Sequence, residues 1–416
     1  MLFTTTQSPL MKPLTPSSES SLHLPYAGLR VVEFSHMVMG PTCGMILADM
    51  GAEVIKVEPI GGHKKGDATR ELLGSGAGFF PMFNRNKKSV ALNLETPEGL
   101  SAAKQLVCSA DVVCENFKAG AMAKLGLDYA QLKTEHPRLI YVSHRGFLPG
   151  PYDKRTALDE VVQMMGGMAY MTGRPGDPLR AGSSVNDIMG GMFGAMGVMA
   201  ALAEREKTGL GQEIQSALFE NNVLLMAQHM MQFAVTGHPA APMPSRVSAW
   251  GVYDVFDFLN GEQVFLAVVS DTAWGVFCRA FGFDDLLVDE RLVSNNSRVK
   301  AREWMMPMLR QRLGGLSAQE VSDQFEKHGL PFAPITKPQD LFEDPHLLSS
   351  GGLAPITLAS GQSTCVPLLP ITLGGQRLGV RMSAPALGEH NEGVLNGLGY
   401  SGEEIKALSG QSSSPQ

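Results

Sequence analysis

The first 145 residues alternate between two hydrophobic periods. Residues 29–34 (LRVVEF) form a short, β-branched apolar run that predicts a buried strand. Residues 35–52 (SHMVMGPTCGMILADMGA) follow with helical spacing, and a turn is expected at Gly40-Pro41 before the helix proper. A second strand is predicted over 53–59 (EVIKVEP), closed by Pro59, and a third over 87–94 (KKSVALNL). Thr96-Pro97-Glu98 predicts a helix start, with Thr96 as cap and Pro97 at the first helical position. Further strands are predicted over 110–116 (ADVVCEN) and 138–143 (RLIYVS), separated by helical stretches. Strand, helix and strand recurring in this way predict an α/β fold with an open, mostly parallel, Rossmann-like sheet.

The pattern then changes. Residues 188–209 read as a glycine-rich helix whose stripe of Met189, Met192, Met196 and Met199 is expected in the core. A second helix is expected over 216–237, and the proline-rich stretch 237–246 marks a boundary. Residues 253–269 (YDVFDFLNGEQVFLAVV) predict a hairpin about Asn260-Gly261, opening a smaller α+β domain. The expected organisation is a disordered leader over 1–24, a large domain over 25–220, and a helix and linker over 221–246. The small domain follows over 247–333, then a return linker and C-terminal part of the large domain over 334–408, and a disordered tail over 409–416.

Composition narrows the partners. The chain has 416 residues and a formal net charge of −7, which argues against a general nucleic-acid binder. With 44% hydrophobic and 18% charged residues it is an ordinary globular chain. The five cysteines are odd in number, widely spaced and without a CxxC, so reduced thiols and a cytoplasmic location are expected. The histidines show no HxH or HExxH spacing, and no metal site is expected; His229 reads as a satisfied helix-face residue. No run of about 18 apolar residues predicts a membrane-spanning helix, and the Ser/Thr/Pro-rich leader lacks the apolar core of a signal peptide.

No GxxxxGK[ST] or GxGxxG loop follows the first strand, so neither nicotinamide nor flavin is expected. The segment 60–70 (IGGHKKGDATR) reads equally as a phosphate-binding loop or a solvated flexible one. There is no GxSxG elbow. Asp187 stands just before the glycine-rich helix. By position alone it reads first as an N-cap, and otherwise as a carboxylate nucleophile with backbone amides near it for an oxyanion. Asp159 and Glu160 are second candidates.

Eight segments in order resemble the family III CoA-transferases, over about residues 24–408. They include LRVVEFSHMVMGPTCGMILADMGAEVIKVEP, GDATR, FNRNKKSVALNLETPEG, ADVVCENFKAGAMAKLGL, GGMAYMTG, Asp187 with the glycines after it, and EREKTGLGQ. The resemblance implies CoA transfer from an acyl-CoA donor to a small carboxylic acid acceptor, with coenzyme A as the only cofactor. It implies an interlocked homodimer and places the nucleophile on Asp187, through an aspartyl anhydride and an aspartyl-CoA thioester. CoA contacts carry over to His36, Val38, Met39, Leu92, Asn93, Leu94, Glu95, Asn116, Phe117, Lys118 and Lys124, with Arg70 and Arg85 as further cationic candidates. Pro59 and Lys124 stand where formyl-CoA transferases have arginines. Phe79, Leu158, Asp159, Arg145 and Trp250 are substrate-side candidates, with Arg155 and Arg246 as further arginines for a second carboxylate. The alternative is the family's 2-methylacyl-CoA racemase branch, whose histidine position holds Leu158; leucine cannot shuttle a proton.

Overall fold

The structure is a computed structural model in which residues 24–246 and 248–410 are described. The leader expected over 1–24 lies outside the described residues apart from Leu24, and the tail expected over 409–416 lies outside them from residue 411.

Five of the seven strands in the first sheet form where the apolar runs predict them; those at 64–65 and 213–217 are not predicted by the pattern. The seven are β1 (Arg30–Phe34), β2 (Glu53–Gly61), β3 (Lys64–Lys65), β4 (Lys87–Leu92), β5 (Val112–Glu115), β6 (Ile140–Arg145) and β7 (Glu213–Ala217). They make one sheet in the order β4-β2-β1-β5-β6-β7, with β3 paired to β2. β1 pairs in parallel with β2 and β5, β2 with β4, and β5 with β6, while β3 is antiparallel. Segment 60–70 is therefore partly a short hairpin extending β2, not a flexible loop. Helix α1 (Met39–Asp49) connects β1 to β2 and begins two residues before Pro41. The turn falls at Met37-Val38 and not at Gly40-Pro41, which is helical because a proline in the first helical turn removes no intrahelical hydrogen bond. Helix α2 (Pro97–Cys108) starts as predicted: the Thr96 hydroxyl accepts from Gly99 N.

The described chain falls into two compact units. The first contains the residues to His144, Gly191–Ile214 and those from Val380; the second contains Arg145–Gly190 and Gln215–Gly379. The continuous run expected over 25–220 is thus divided. Residues 145–190 carry α3 (Asp159–Met165) and the first turn of α4 (Val185–Thr208). In the first unit the segment from Val380 covers the free edge of β4. Ala91 N donates to Asn391 Oδ1 at 2.7 Å, and Asn391 Nδ2 donates to Ala91 O at 3.1 Å.

Helix α4 corrects the methionine expectation. Gly191, Gly194, Ala195 and Val198 are buried, whereas Met192 and Met196 are 48% and 56% exposed. The small-residue face allows the closest backbone packing and takes the core; the methionines stand on the other face. By length and composition alone α4 is apolar enough to cross a membrane, yet its glycine face is packed within the first unit.

The second unit contains α5 (Leu218–Thr236) and an antiparallel sheet of β8 (Val252–Asp257), β9 (Gln263–Val268) and β10 (Phe332–Pro334). β8 and β9 turn at Asn260 and Gly261, both with positive φ, as the Asn-Gly pair predicts. Phe277, Leu309 and Phe325 form part of the core beneath this sheet.

Among its buried charges the first unit holds one cluster of four. Lys87 Nζ lies 2.8 Å from Glu33 Oε2, and Lys56 Nζ lies 3.3 Å from Glu33 Oε1 and 3.0 Å from Asp67 Oδ2. Burial pushes the Glu33 carboxyl up, but Lys87 and Lys56 outweigh it and hold the group below its ordinary value. The two cations and two anions sum to zero, which is what a low-dielectric interior requires. Gly44 on α1 makes room for Glu33, since a β-carbon there would lie 1.7 Å from Glu33 Oε2. Lys87→Met leaves this carboxylate underpaired and is expected to destabilise the protein by about 3–5 kcal/mol in urea unfolding. Adding Glu33→Gln should recover part of that loss; a double variant as unstable as the sum of the two single ones would refute the coupling.

Candidate active site

The sheet order places a switch point at β1 and β5: later strands are added on one side toward β4 and on the other toward β7. In open parallel sheets, ligands bind outside the C-terminal ends of the strands at such a point. The residues there are tightly positioned. Lys56 Nζ donates to Ser35 O at 2.7 Å, and Lys87 Nζ donates to Pro41 O at 2.9 Å, so the buried cations anchor both ends of the β1–α1 connection. Inside it Met37 adopts φ 63°, a left-handed conformation costly for a side chain of this size. His36 N donates to Asn116 Oδ1 at 2.9 Å, and Asn116 Nδ2 donates back to His36 O at 2.7 Å. The His36 and Phe117 rings stack at 5.7 Å.

Among the CoA-contact candidates, His36, Asn116 and Phe117 are thus brought together, with Val38 and Met39 buried at the start of α1. Leu92 ends β4, Asn93, Leu94 and Glu95 follow it, and Asn93 O accepts from Thr96 N. Glu95 pairs with Lys64 at 2.7 Å on an exposed surface, where such a pair contributes little stability. Lys118 and Lys124 are exposed.

Two cationic candidates have structural roles instead. Arg70 donates to both Glu58 carboxylate oxygens and to Pro385 O, and its guanidinium lies 3.8 Å over the Phe80 ring. Arg85 is fully buried and paired with Asp49 at 2.7 Å. A guanidinium so engaged has its fork of donors committed within the fold.

In the second unit Asp187 is the third residue of α4, inside its first turn, and not the N-cap. The helix begins earlier than the apolar pattern does because Ile188 N already donates to Ser184 O. First-turn N–H groups lack intrahelical partners and carry the positive end of the helix dipole, a setting suited to a carboxylate or a developing oxyanion. Asn186, fully buried, is held from three sides. Its N and Nδ2 reach Asp159 Oδ1 at 3.4 and 3.5 Å; Asn221 Nδ2 reaches its backbone O, and Asn222 Nδ2 its Oδ1, both at 3.5 Å. Gln163 Nε2 donates to Asp159 at 3.0 Å, and Gln163 Oε1 accepts from Ala181 N at 2.8 Å. Burial raises the Asp159 carboxyl above its ordinary value, against the hydrogen bonds from Gln163 and Asn186.

Leu158, immediately before α3, is 59% exposed. Glu160 pairs with Arg180, and Arg145 is half-buried at the end of β6. Phe79 lies 6.5 Å from the Phe83 ring, Trp250 stacks at 4.7 Å on Tyr253, and Arg155 lies over Tyr152. Arg246 Nη1 donates to Met243 O. His229 lies 3.1 Å from Gln228 Nε2 and 3.4 Å from Gln232 Oε1, satisfied on α5 as expected. The amides that order the start of α4, Gln163 through Asp159 and Asn221 and Asn222 through Asn186, follow no sequence motif; the four-residue step from Asp159 to Gln163 is their one local signal.

The first unit is an open, mostly parallel sheet with polar residues gathered at its switch point, the arrangement in which α/β proteins bind ligands. The chain belongs to CoA-transferase family III, whose model matches residues 26–391. Members act on acyl-CoA thioesters and carboxylic acids, and the protein is a CoA-transferase. It is 33% identical over 385 residues to a succinate–glutarate CoA-transferase of Agrobacterium fabrum, covering 89% of this chain and 95% of that one. It is 33% identical over 341 residues to an acetyl-CoA:oxalate CoA-transferase of Acetobacter aceti, covering 79% and 87%. A crystal structure of a CaiB/BaiF family protein from Brucella suis superposes with a TM-score of 0.80 at 32% identity, covering 90% and 99%.

The raised Asp159 carboxyl makes a signed prediction. The folded state keeps this proton to higher pH than the unfolded state, so its contribution to stability is full below the ordinary Asp range, about 4, and is lost as pH rises through the raised folded value. Asp159→Asn cannot titrate. Its melting temperature relative to the wild type should therefore rise between acidic and neutral pH in calorimetry, and a relative decline would contradict the reading.

Proposed function

We propose that the protein moves CoA from a succinyl-CoA-like donor to a small carboxylic acid through covalent catalysis on Asp187. The observation that carries this is the seating of Asp187 in the first turn of α4, directly after an asparagine fixed by Asp159, Asn221 and Asn222. An Asp187 carboxylate oxygen attacks the donor thioester carbonyl; the C–S bond breaks and CoA leaves as thiolate. The thiolate attacks the aspartyl carbon of the mixed anhydride, releasing the donor acid and forming an aspartyl-CoA thioester. The acceptor carboxylate displaces the thiolate to make a second anhydride. The thiolate then attacks the acceptor acyl carbon, giving the new thioester and free Asp187. Each step exchanges acyl groups of similar transfer energy, so a nucleophile and oxyanion donors suffice.

The CoA moiety is assigned to the β1–α1 connection, the end of β4 and the Asn116–Lys118 segment. The relatives named for succinate, glutarate and oxalate support small dicarboxylic acids as acceptors. An exposed leucine at position 158 speaks against racemase chemistry, since it has no proton to exchange. An interlocked homodimer belongs to the same reading. Exposed Met192 and Met196 on α4, with Met230, Met231, Phe233 and Val235 on α5, support it as apolar surface suited to a second subunit.

Intact-protein mass spectrometry with succinyl-CoA tests the mechanism. The wild type should carry an adduct cleared by hydroxylamine, and Asp187→Asn should carry none, with turnover reduced about 10³-fold or more. An adduct that persists in Asp187→Asn would remove the nucleophile assignment.

A further inference from the structure

Three thiophilic or borderline donors converge in the core of the first unit. Cys43 lies on α1, Cys114 on β5 and His144 on β6. Their sequence separations hide them from any spacing motif, but adjacent parallel strands and the crossover helix bring them together. The two sulfur atoms and an imidazole nitrogen all lie within 4.8 Å of one another. Both cysteines are fully buried, and His144 is 3% exposed. Gly194 on α4 leaves the space they occupy: a β-carbon there would lie 2.4 Å from His144 Cε1 and 3.3 Å from Cys43 Sγ.

We infer that Cys43, Cys114 and His144 form a buried site for a thiophilic d10 cation, Zn(II) or Cu(I). Two thiolates and one imidazole are the donor types such ions select. On binding, each thiol S–H bond breaks and an S–metal bond forms, the imidazole supplies a lone pair, and two protons go to solvent without electron transfer. With Zn(II) the product is neutral, which suits a fully buried position; with Cu(I) the three protein donors satisfy the ion's low coordination number. The bound ion would tie α1 to β5 and β6. Cys43 follows Pro41 by two residues and Cys114 precedes Asn116 by two, so the ion would brace the floor of the switch-point crevice. The inference does not rest on transfer through Asp187, and its test reads metal, not turnover.

The described residues hold a second thiol–imidazole pair that a metal assay must separate from this one: His136 Nε2 lies 3.1 Å from Cys108 Sγ on the surface. The full-length reduced protein is incubated without oxygen with Zn(II) in one arm and Cu(I) in another, desalted, and assayed for metal by mass spectrometry. Wild type and Cys108→Ser should retain about one equivalent, and Cys43→Ser and Cys114→Ser should fall to background. Retention in one arm alone identifies the ion and supports the site. Because a serine in the core can unfold the variant, the wild type is also titrated with Zn(II) in weak buffer, where release of about two protons per ion is expected. With Co(II), a thiolate charge-transfer band should appear in wild type and Cys108→Ser. No retained ion in either arm overturns the inference, as does retention lost in Cys108→Ser but kept in Cys43→Ser and Cys114→Ser.

Discussion

The constraint on which the first unit depends is one cluster of four buried charges. Glu33, Asp67, Lys56 and Lys87 lie where water does not reach, so each must meet an opposite charge, and the set must sum to zero. That requirement pins β1, β2, β4 and the turn at Asp67 to one another. The donors left over on the two lysines then reach Ser35 O and Pro41 O. The β1–α1 connection is held at both ends by groups that cannot leave without stranding a charge. A positive φ at Met37 is tolerable there because its surroundings over-determine it.

The second unit positions its carboxylate by other means. Asn186 is fixed by neutral amides and by an Asp159 carboxyl that burial holds toward its protonated form. Buried ion pairs thus order the switch point of the first unit, and neutral amides with one buried carboxyl order the start of α4 in the second.

Much of this is legible in the chain. The β-branched runs, the Thr96-Pro97 start and the Asn260-Gly261 turn signal structure through local backbone preferences, and the elements formed within a few residues of the expected limits. Asp187 by position alone reads first as a cap, and only the family resemblance singles it out. Arg70 and Arg85 are misread. A basic residue near a strand end looks the same in sequence whether it faces a phosphate or a buried carboxylate, and Glu58 and Asp49 decide the matter from 12 and 36 residues away. The methionine stripe on α4 fails similarly: helical period identifies faces but does not say which face is covered, and glycine packing takes the core.

The α/β class, most of the strands and the hairpin are therefore legible in the chain alone, because these rest on period, cap and turn preferences acting over a few residues; Asp187 is singled out by the family resemblance and not by its local pattern. Tertiary structure decided which charges neutralise one another, which amides hold Asn186 beside Asp187, and that two cysteines and a histidine from three separate elements share one small space. Those are pairings between distant residues. Their energies depend on distance and on exclusion of water, and both exist only once the sheet has brought its strands together.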